Sequence, residues 1–351
     1  MAVMKIRGRE LGLPFAGKTG RFNAITDVVG VEVGVVTLIG GEDIRTGVTA
    51  ILPRGRASAD VPVAAGSFSF NGNGEMTGLA WIEEAGELQT PITITNTASC
   101  GVTRDATLRW LVKHKIGTGQ DWGLPVAAET YDGDLNDING FHVTTAHAMQ
   151  ALDNAHGGAV ELGSVGGGTG MITYDFKAGN GSASRLVDID GETFTLGVFL
   201  QSNFGRREDF TVLGVPVGQH ILQDQLRGKD QGSVIAIIAT DAPLQPHQLK
   251  RLARRVPVGL ARTGTIGSNS SGDIFLAFST ANEKSFVGAR RSADYLANNA
   301  IDGLFRAVVE ATEEAVLDSM ICNETMVGRN GNTSIALPLE QMLDVMKRYG
   351  R

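Results

Sequence analysis

The chain has 351 residues, and its 31 Lys and Arg against 38 Asp and Glu leave a net charge of −7, which argues against a nucleic-acid partner because phosphate binding needs a basic face. Apolar residues at 42% and charged residues at 20% are ordinary globular usage, so a disordered chain and a coiled coil are both excluded. Glycine stands out at 46 residues, nearly twice the usual share of about 7%, which implies many tight turns and close backbone approaches.

The length would serve two domains of about 150 residues or one large α/β domain. A small substrate, a cationic one included, suits the acidic balance. The longest clean apolar run, Val234 to Ala239, is of strand length and far below the roughly 18 residues of a membrane span. The opening MAVMKIRGREL lacks an apolar signal region, and Cys100 and Cys322 lie far apart without a CxxC partner. A cytoplasmic soluble protein with no membrane partner, disulfide framework or metal site is expected.

The first 100 residues read as strand-rich: Val28 to Ile39, Val48 to Leu52, and the period-two stretch Pro91 to Thr97. Ala148, Ala151, Leu152 and Ala155 share one helix face, in a segment that Gly157-Gly158 terminates. The polar stretch Gln223 to Gly232 suits chain scission and runs into an apolar strand from Ser233 to Ala239. The strongest helical stripe comprises Ile301, Leu304, Phe305, Val308, Ala311 and Ala315, and predicts a helix packed on a sheet. Elements mixed in this order, without strict βαβ alternation, favour a layered α/β sandwich over a doubly wound parallel sheet.

Several motifs fail on context. Gly12 to Thr19 satisfies GxxxxGK[ST], but the following Gly20 to Gly30 is short, Gly-bounded and leads into strands, and Pro14 removes an amide donor. Asp241, ending VIAIIATD, only imitates the acid of a magnesium site. Gly163 to Gly170 fits no GxGxxG register and reads as a tight turn or backbone crossover. His142 and His147, five residues apart, fall on different sides of a helix, and no HExxH, GxSxG or SxxK occurs. Arg206-Arg207 and the run Lys250 to Arg255 read as solvated loop and helix faces.

What remains is Gly232-Ser233 at the mouth of the buried strand. A serine hydroxyl needs an adjacent base, and its own α-amine can serve once the preceding peptide bond breaks, since an α-amino group titrates near 7.7–8.0. Glycine before it leaves room for the hydroxyl to approach the Gly232 carbonyl. By itself, Gly-Ser before a strand is more often a turn.

Over nearly its whole length the chain resembles the self-processing L-aminopeptidase/D-esterase family, with its β-peptidyl aminopeptidases and nylon-oligomer hydrolases. The resemblance rests on Asn23 to Gly34, Ala128 to Gly140, Ser164 to Met171, Phe176 to Arg185, Ser202 to Glu208, Gly232 to Arg255 and Ala261 to Asn282. It implies a four-layer αββα sandwich similar to that of N-terminal-nucleophile hydrolases but differently connected. It also implies one catalytic domain over residues 1–351 that cuts itself between Gly232 and Ser233 into chains 1–232 and 233–351. Ser233 is then the nucleophile, and Ser271 and Asp273 in SSGD match the residues beside its amine. Asn203 in SNFGRR matches the oxyanion donor, Tyr131 in ETYDG donates to the same centre, and Glu129 binds the substrate ammonium, with Asp132 and Asp137 close enough in sequence to compete. The activity implied is release of small N-terminal residues from peptides, amides or esters with a free amine, without cofactor or metal, by a homo-oligomer of two-chain units. Two alternatives stand beside it: an acyltransferase of the ornithine acetyltransferase type, whose nucleophile is threonine, and an unprocessed non-catalytic homologue.

Overall fold

The structure is a computed structural model that describes residues 5–118, 121–228, 232–286 and 289–351. In chain order its main elements are β1 (Glu32–Gly40), β2 (Ile44–Leu52), β3 (Val63–Gly72), α1 (Leu79–Ala85), β4 (Glu87–Leu88), β5 (Ile92–Asn96), α2 (Cys100–His114), β6 (Val126–Thr130) and α3 (Thr145–Asp153). There follow the short hairpin β7 (Ile172–Thr173) and β8 (Phe176–Lys177), β9 (Asn180–Ile189), β10 (Glu192–Asn203), β11 (Ser233–Thr240), α4 (Pro246–Ala253), α5 (Val256–Ala261), β12 (Gly272–Ser279), α6 (Asp302–Ile321) and, after a hairpin of two-residue strands, α7 (Leu339–Arg348).

Two sheets face each other, one in the order β1-β2-β5-β6 and the other β4-β3-β12-β11-β10-β9. Ile51, Ile92, Ile94 and Val126 of the smaller sheet meet Phe199, Ile235, Ile237 and Leu276 of the larger across the central core. The outer face of the smaller sheet buries Val48, Ala50 and Leu52 under Ala106 and Trp110 of α2 and Ala148, Ala151 and Leu152 of α3. The outer face of the larger sheet is covered by α4, α5 and α6, with Val234, Ala236 and Ile238 packed beneath Leu249, Leu260, Val308 and Ala315. These are the four layers of the expected αββα sandwich. β11 reads as an unbroken apolar run because it is buried on both faces, its alternate residues entering different cores.

The elements depart from the sequence expectations at their ends. β1 starts at Glu32 rather than Val28, because Ile25–Asp27 form a 3₁₀ turn and Gly30 takes φ +90°. α3 stops at Asp153 on the Asn154 cap, ahead of Gly157-Gly158, and α6 runs on to Ile321. His142 precedes α3 altogether, and His147 caps it, accepting from the Thr144 amide at 3.2 Å. The Gly12 to Thr19 stretch opens no helix, and Asp241 is occupied by the Thr195 amide at 2.7 Å. Gly166–Gly168 form a buried 3₁₀ turn. Arg207 corrects the solvated reading of its pair: it is fully buried, stacks 3.4 Å from the Phe176 ring centroid and donates to the carbonyls of Tyr174 and Ile221 at 2.7 and 3.0 Å.

Part of the glycine excess is close packing. A Cβ on Gly181 would overlap the Ala315 carbonyl, so α6 lies against β9 at backbone distance. The same interface holds a buried ion cluster. Glu314 (side chain 0% exposed) pairs with Arg185 (2%) at 2.7 Å and with Arg9 at 2.8 Å, and accepts from Asn23 at 2.6 Å. Burial works against this carboxylate, but Arg9, Arg185 and Asn23 together hold it below the ordinary glutamate value. Its stabilisation is therefore present above the unfolded value near 4.3 and is lost as pH falls through the lower folded value. Replacing Glu314 by alanine leaves the buried Arg185 guanidinium, among the described residues, only the longer ion pair with Glu310 at 3.6 Å and should destabilise the fold by about 3–5 kcal/mol in denaturant unfolding at neutral pH; a change below about 1 kcal/mol would contradict this account.

Candidate active site

The site forms where three strands of the larger sheet end together. Ser233, the first residue of β11, pairs antiparallel with Asn203, the last of β10, and parallel with Gly272, the first of β12. Register alone thus brings together residues separated by 30 and 39 positions. Gly232 takes φ +151°, which L side chains rarely adopt, and a Cβ there would overlap the Asn203 carbonyl oxygen. The Gly232 carbonyl accepts from the Gly272 amide at 3.3 Å. Among the described residues none hydrogen-bonds the buried Ser233 hydroxyl.

Asn203 is buried, and its amide orientation is set by its partners. The oxygen accepts from the Ile172 amide at 3.0 Å and from Arg227 Nη2 at 2.9 Å, while Nδ2 donates to the Tyr131 carbonyl at 2.8 Å. Nδ2 also lies 3.0 Å from where a Gly232 Cβ would stand, so the NH₂ faces the junction with one hydrogen unused by Tyr131. Flanking Gly272, the Ser271 hydroxyl donates to Asp273 Oδ1 at 2.6 Å and Asn71 donates to Oδ2 at 2.9 Å. Beside Asp273 and Val234 opens a cavity of about 160 Å³, lined largely by apolar groups including Phe70, Phe204, Leu260 and Ile266.

Glu129 reaches the same strand ends through Gly74: a Cβ on Gly74 would lie 3.0 Å from Gly272 Cα and 3.2 Å from Glu129 Oε1. The carboxylate accepts from the Glu75 amide at 2.9 Å and from the Thr97 hydroxyl, and burial raises its pKa above the ordinary glutamate value. Its two sequence competitors point elsewhere. Asp132 is wholly buried and bonded to Asn136 at 3.1 Å, with its carboxyl pushed up to about 7 by burial, and Asp137 faces Arg329 at 3.9 Å. Tyr131 joins the site by its main-chain carbonyl, while its ring folds back over Gly133 and its hydroxyl is raised in pKa by burial. Three participants had no signal in the sequence: the Gly272 amide, Thr97 and Arg227. Backbone donors and partners drawn from distant turns leave no spacing to read.

No group of three or more His, Cys, Asp or Glu among the described residues is arranged to hold a metal ion, and no helix there is long and apolar enough to cross a membrane. The four layers, with a serine opening a central strand of the larger sheet, define the layered fold of the N-terminal-nucleophile hydrolases. Residues 23–334 match peptidase family S58, and the chain belongs to that family. It is 48% identical to beta-peptidyl aminopeptidase BapA of Sphingosinicella microcystinivorans, over 98% of this chain and 93% of that one. To the enzyme of the same name from Sphingosinicella xenopeptidilytica it is 41% identical, over 97% and 91%. The solved structure of the L-aminopeptidase D-Ala-esterase/amidase of Ochrobactrum anthropi, described as a prototype for the serine aminopeptidases and a variant of the Ntn hydrolase fold, superposes with a TM-score of 0.94 at 47% identity, covering 98% of this chain and 99% of that one. The protein is a hydrolase, an aminopeptidase, as the motif resemblance implied.

The junction geometry carries its own test. Gly232→Ala places a side chain against the Asn203 carbonyl at a φ that alanine resists, so if the chain cuts itself after residue 232, as its motif resemblance implies, the variant should instead stay intact by denaturing mass spectrometry while remaining folded. Cleavage at the wild-type rate would mean that this backbone conformation is irrelevant to the cut.

Proposed function

We propose that the protein is a self-activated serine aminopeptidase in which Ser233 first cuts the bond behind it and then acts on substrates. The observation that carries this reading is the strand register that sets Ser233 between Asn203 and Gly272, with the Gly232 carbonyl already on a backbone N–H. The Ser233 hydroxyl attacks the Gly232 carbonyl carbon, and the oxyanion that forms is met by the Gly272 amide and the Asn203 NH₂. The C–N bond breaks with the proton passing to the amine, and water releases the resulting ester. Chains 1–232 and 233–351 stay together, because β11 and β12 lie between β3 and β10 in the middle of one sheet.

The new α-amine, with a natural pKa near 7.7–8.0, is the base for turnover: it takes the Ser233 proton as the hydroxyl attacks the substrate carbonyl and returns it to the leaving amine. In this reading the Ser271–Asp273 pair, joined by its own hydrogen bond and flanking the Gly272 that pairs with Ser233, hydrogen-bonds that amine and raises its basicity. Asn203 again serves as oxyanion donor, a group whose loss typically costs about 2.7–4 kcal/mol, and Tyr131 assists it by holding the Asn203 NH₂ on its main-chain carbonyl. Glu129 receives the substrate's free ammonium, which limits substrates to peptides, amides and esters with an unblocked amino end. The relatives named for β-peptidyl and L-aminopeptidase/D-Ala-esterase activity support small α- or β-aminoacyl groups as the acyl part. A cytoplasmic homo-oligomer of two-chain units completes the reading.

Ser233→Ala should remain one inactive chain, whereas active wild-type enzyme should yield a new terminus beginning Ser-Val-Ile-Ala on end-group sequencing; active enzyme without that terminus overturns the mechanism. An added amine acceptor should be acylated more slowly than water hydrolyses the intermediate, and the reverse would favour the acyltransferase alternative. Since burial raises the Glu129 pKa, KM should climb as pH falls through a value above the ordinary 4.3 or so. Glu129→Gln should raise KM roughly 30-fold or more and flatten that acid limb of the KM profile; an unchanged profile would exclude Glu129 as the ammonium site.

A further inference from the structure

Behind Asn203 lies a cation that the reaction scheme leaves without a role. The Arg227 side chain is 3% exposed, and among the described residues its guanidinium spans three partners: Nε donates to Asp134 Oδ2 at 2.6 Å, Nη1 to the Ile172 carbonyl at 3.2 Å and Nη2 to the Asn203 amide oxygen at 2.9 Å. The second donor on that oxygen is the Ile172 amide. Neither donor can accept a hydrogen bond, so the Asn203 amide cannot flip and its NH₂ is committed to the side of Gly232. A cation on the amide oxygen also polarises the group, making its N–H the stronger donor toward developing negative charge. Tyr131 feels the same cation: burial and Asp134 raise its pKa, and Arg227 opposes them.

Arg227 stands five residues ahead of Gly232, on the polar stretch that the sequence marks only as suited to scission. Residues 229–231 of it lie outside the described residues, and the part up to Gly228 is tied down. The amides of Arg227 and Gly228 donate to the two oxygens of Asp175 at 2.8 and 3.0 Å, and the buried Arg207 donates to the carbonyls of Ile221 and Gln223 at 3.0 and 3.1 Å. Asp175 itself sits with Tyr174 in a left-handed turn between β7 and β8, whose two carbonyls Arg207 also holds.

We propose that Arg227 is a positioning residue that locks and polarises Asn203, so that the tail of the first chain, docked as far as Gly228 after the cut, is a working part of the oxyanion site. The proposal rests on the reading of Ser233 as nucleophile and Asn203 as oxyanion donor. It assigns the stretch before the junction a role in every turnover as well as in the single cut.

The test is a double-mutant cycle in the full chain with Arg227→Met, Arg227→Lys, Asn203→Ala and the combined variants. Self-cleavage is followed by denaturing mass spectrometry and turnover with an aminoacyl p-nitroanilide that the wild type hydrolyses. Arg227→Met should slow both cleavage and kcat about 10–100-fold and leave KM within about threefold, since misplacing a catalytic group by an ångström costs on that order. Arg227→Lys, which keeps the charge but cannot span all three partners, should recover part of the loss. In the Asn203→Ala background Arg227→Met should add less than about threefold. Where a variant matures too slowly to assay turnover, the cleavage rate of its precursor carries the same cycle, and if Arg227→Met does not fold, Arg227→Lys replaces it. The same penalty in both backgrounds, or an Arg227→Met kcat within threefold of wild type, overturns the proposal. Wild-type enzyme that is active without a terminus at Ser233 overturns instead the reading beneath it.

Discussion

The register of β11 between β10 and β12 is the constraint on which the rest of the site depends. Hydrogen-bond ladders come in whole-residue steps, and a slip of one residue would turn every β11 side chain to the opposite face. Ile235 and Ile237 would then leave the core between the sheets, and Val234, Ala236 and Ile238 would leave the core under α6. Since both faces of the strand are buried, that exchange is expensive, and hydrophobic packing along eight residues thereby locates the Ser233 hydroxyl at the strand's first position. The precision of the proposed site is a by-product of core packing.

Around this fixed end the site is made mostly of backbone and of groups held by backbone. The Gly272 amide, the Gly232 carbonyl, the Tyr131 carbonyl and the Ile172 amide set the geometry, and the Asn203 carboxamide is oriented by two of them together with Arg227. Backbone donors lose little freedom when charge develops, which suits an oxyanion site. Glycine supplies the access: Gly272 and Gly74 crowd one another, and Gly232 crowds the Asn203 carbonyl, to distances that a side chain would disturb. The acidic cluster at α6 works at larger scale. Glu314 and Asp318 draw in Arg7, Arg9 and Arg185, so ion pairs join the start of the chain to a helix beyond the proposed cut.

Much of this was legible beforehand, for identifiable reasons. The all-apolar β11 and the stripe on α6 announce elements buried against a core, and the long motif blocks around Ser233, Asn203 and SSGD marked the strand ends that do meet. Errors arose where tertiary contacts override local preference. Arg207 looks like a surface cation because its sequence neighbours are polar, yet it is buried as a donor to main-chain carbonyls. The start of β1 moved because Ile25–Asp27 form a 3₁₀ turn, and the end of α3 moved because an asparagine cap acts before Gly157-Gly158.

The amino-acid order by itself determined that the chain forms layered sheets and helices, which strand is central, and which residue stands at its mouth, because hydrophobic period and motif content are local properties. That Glu129, and not Asp132 or Asp137, stands at the strand ends, the fixed face of the Asn203 amide and the presence of Arg227 behind it were decided only by the tertiary structure. Each depends on which distant backbone groups and charges surround a side chain, and burial and hydrogen-bond partners exist only once the sheets have packed.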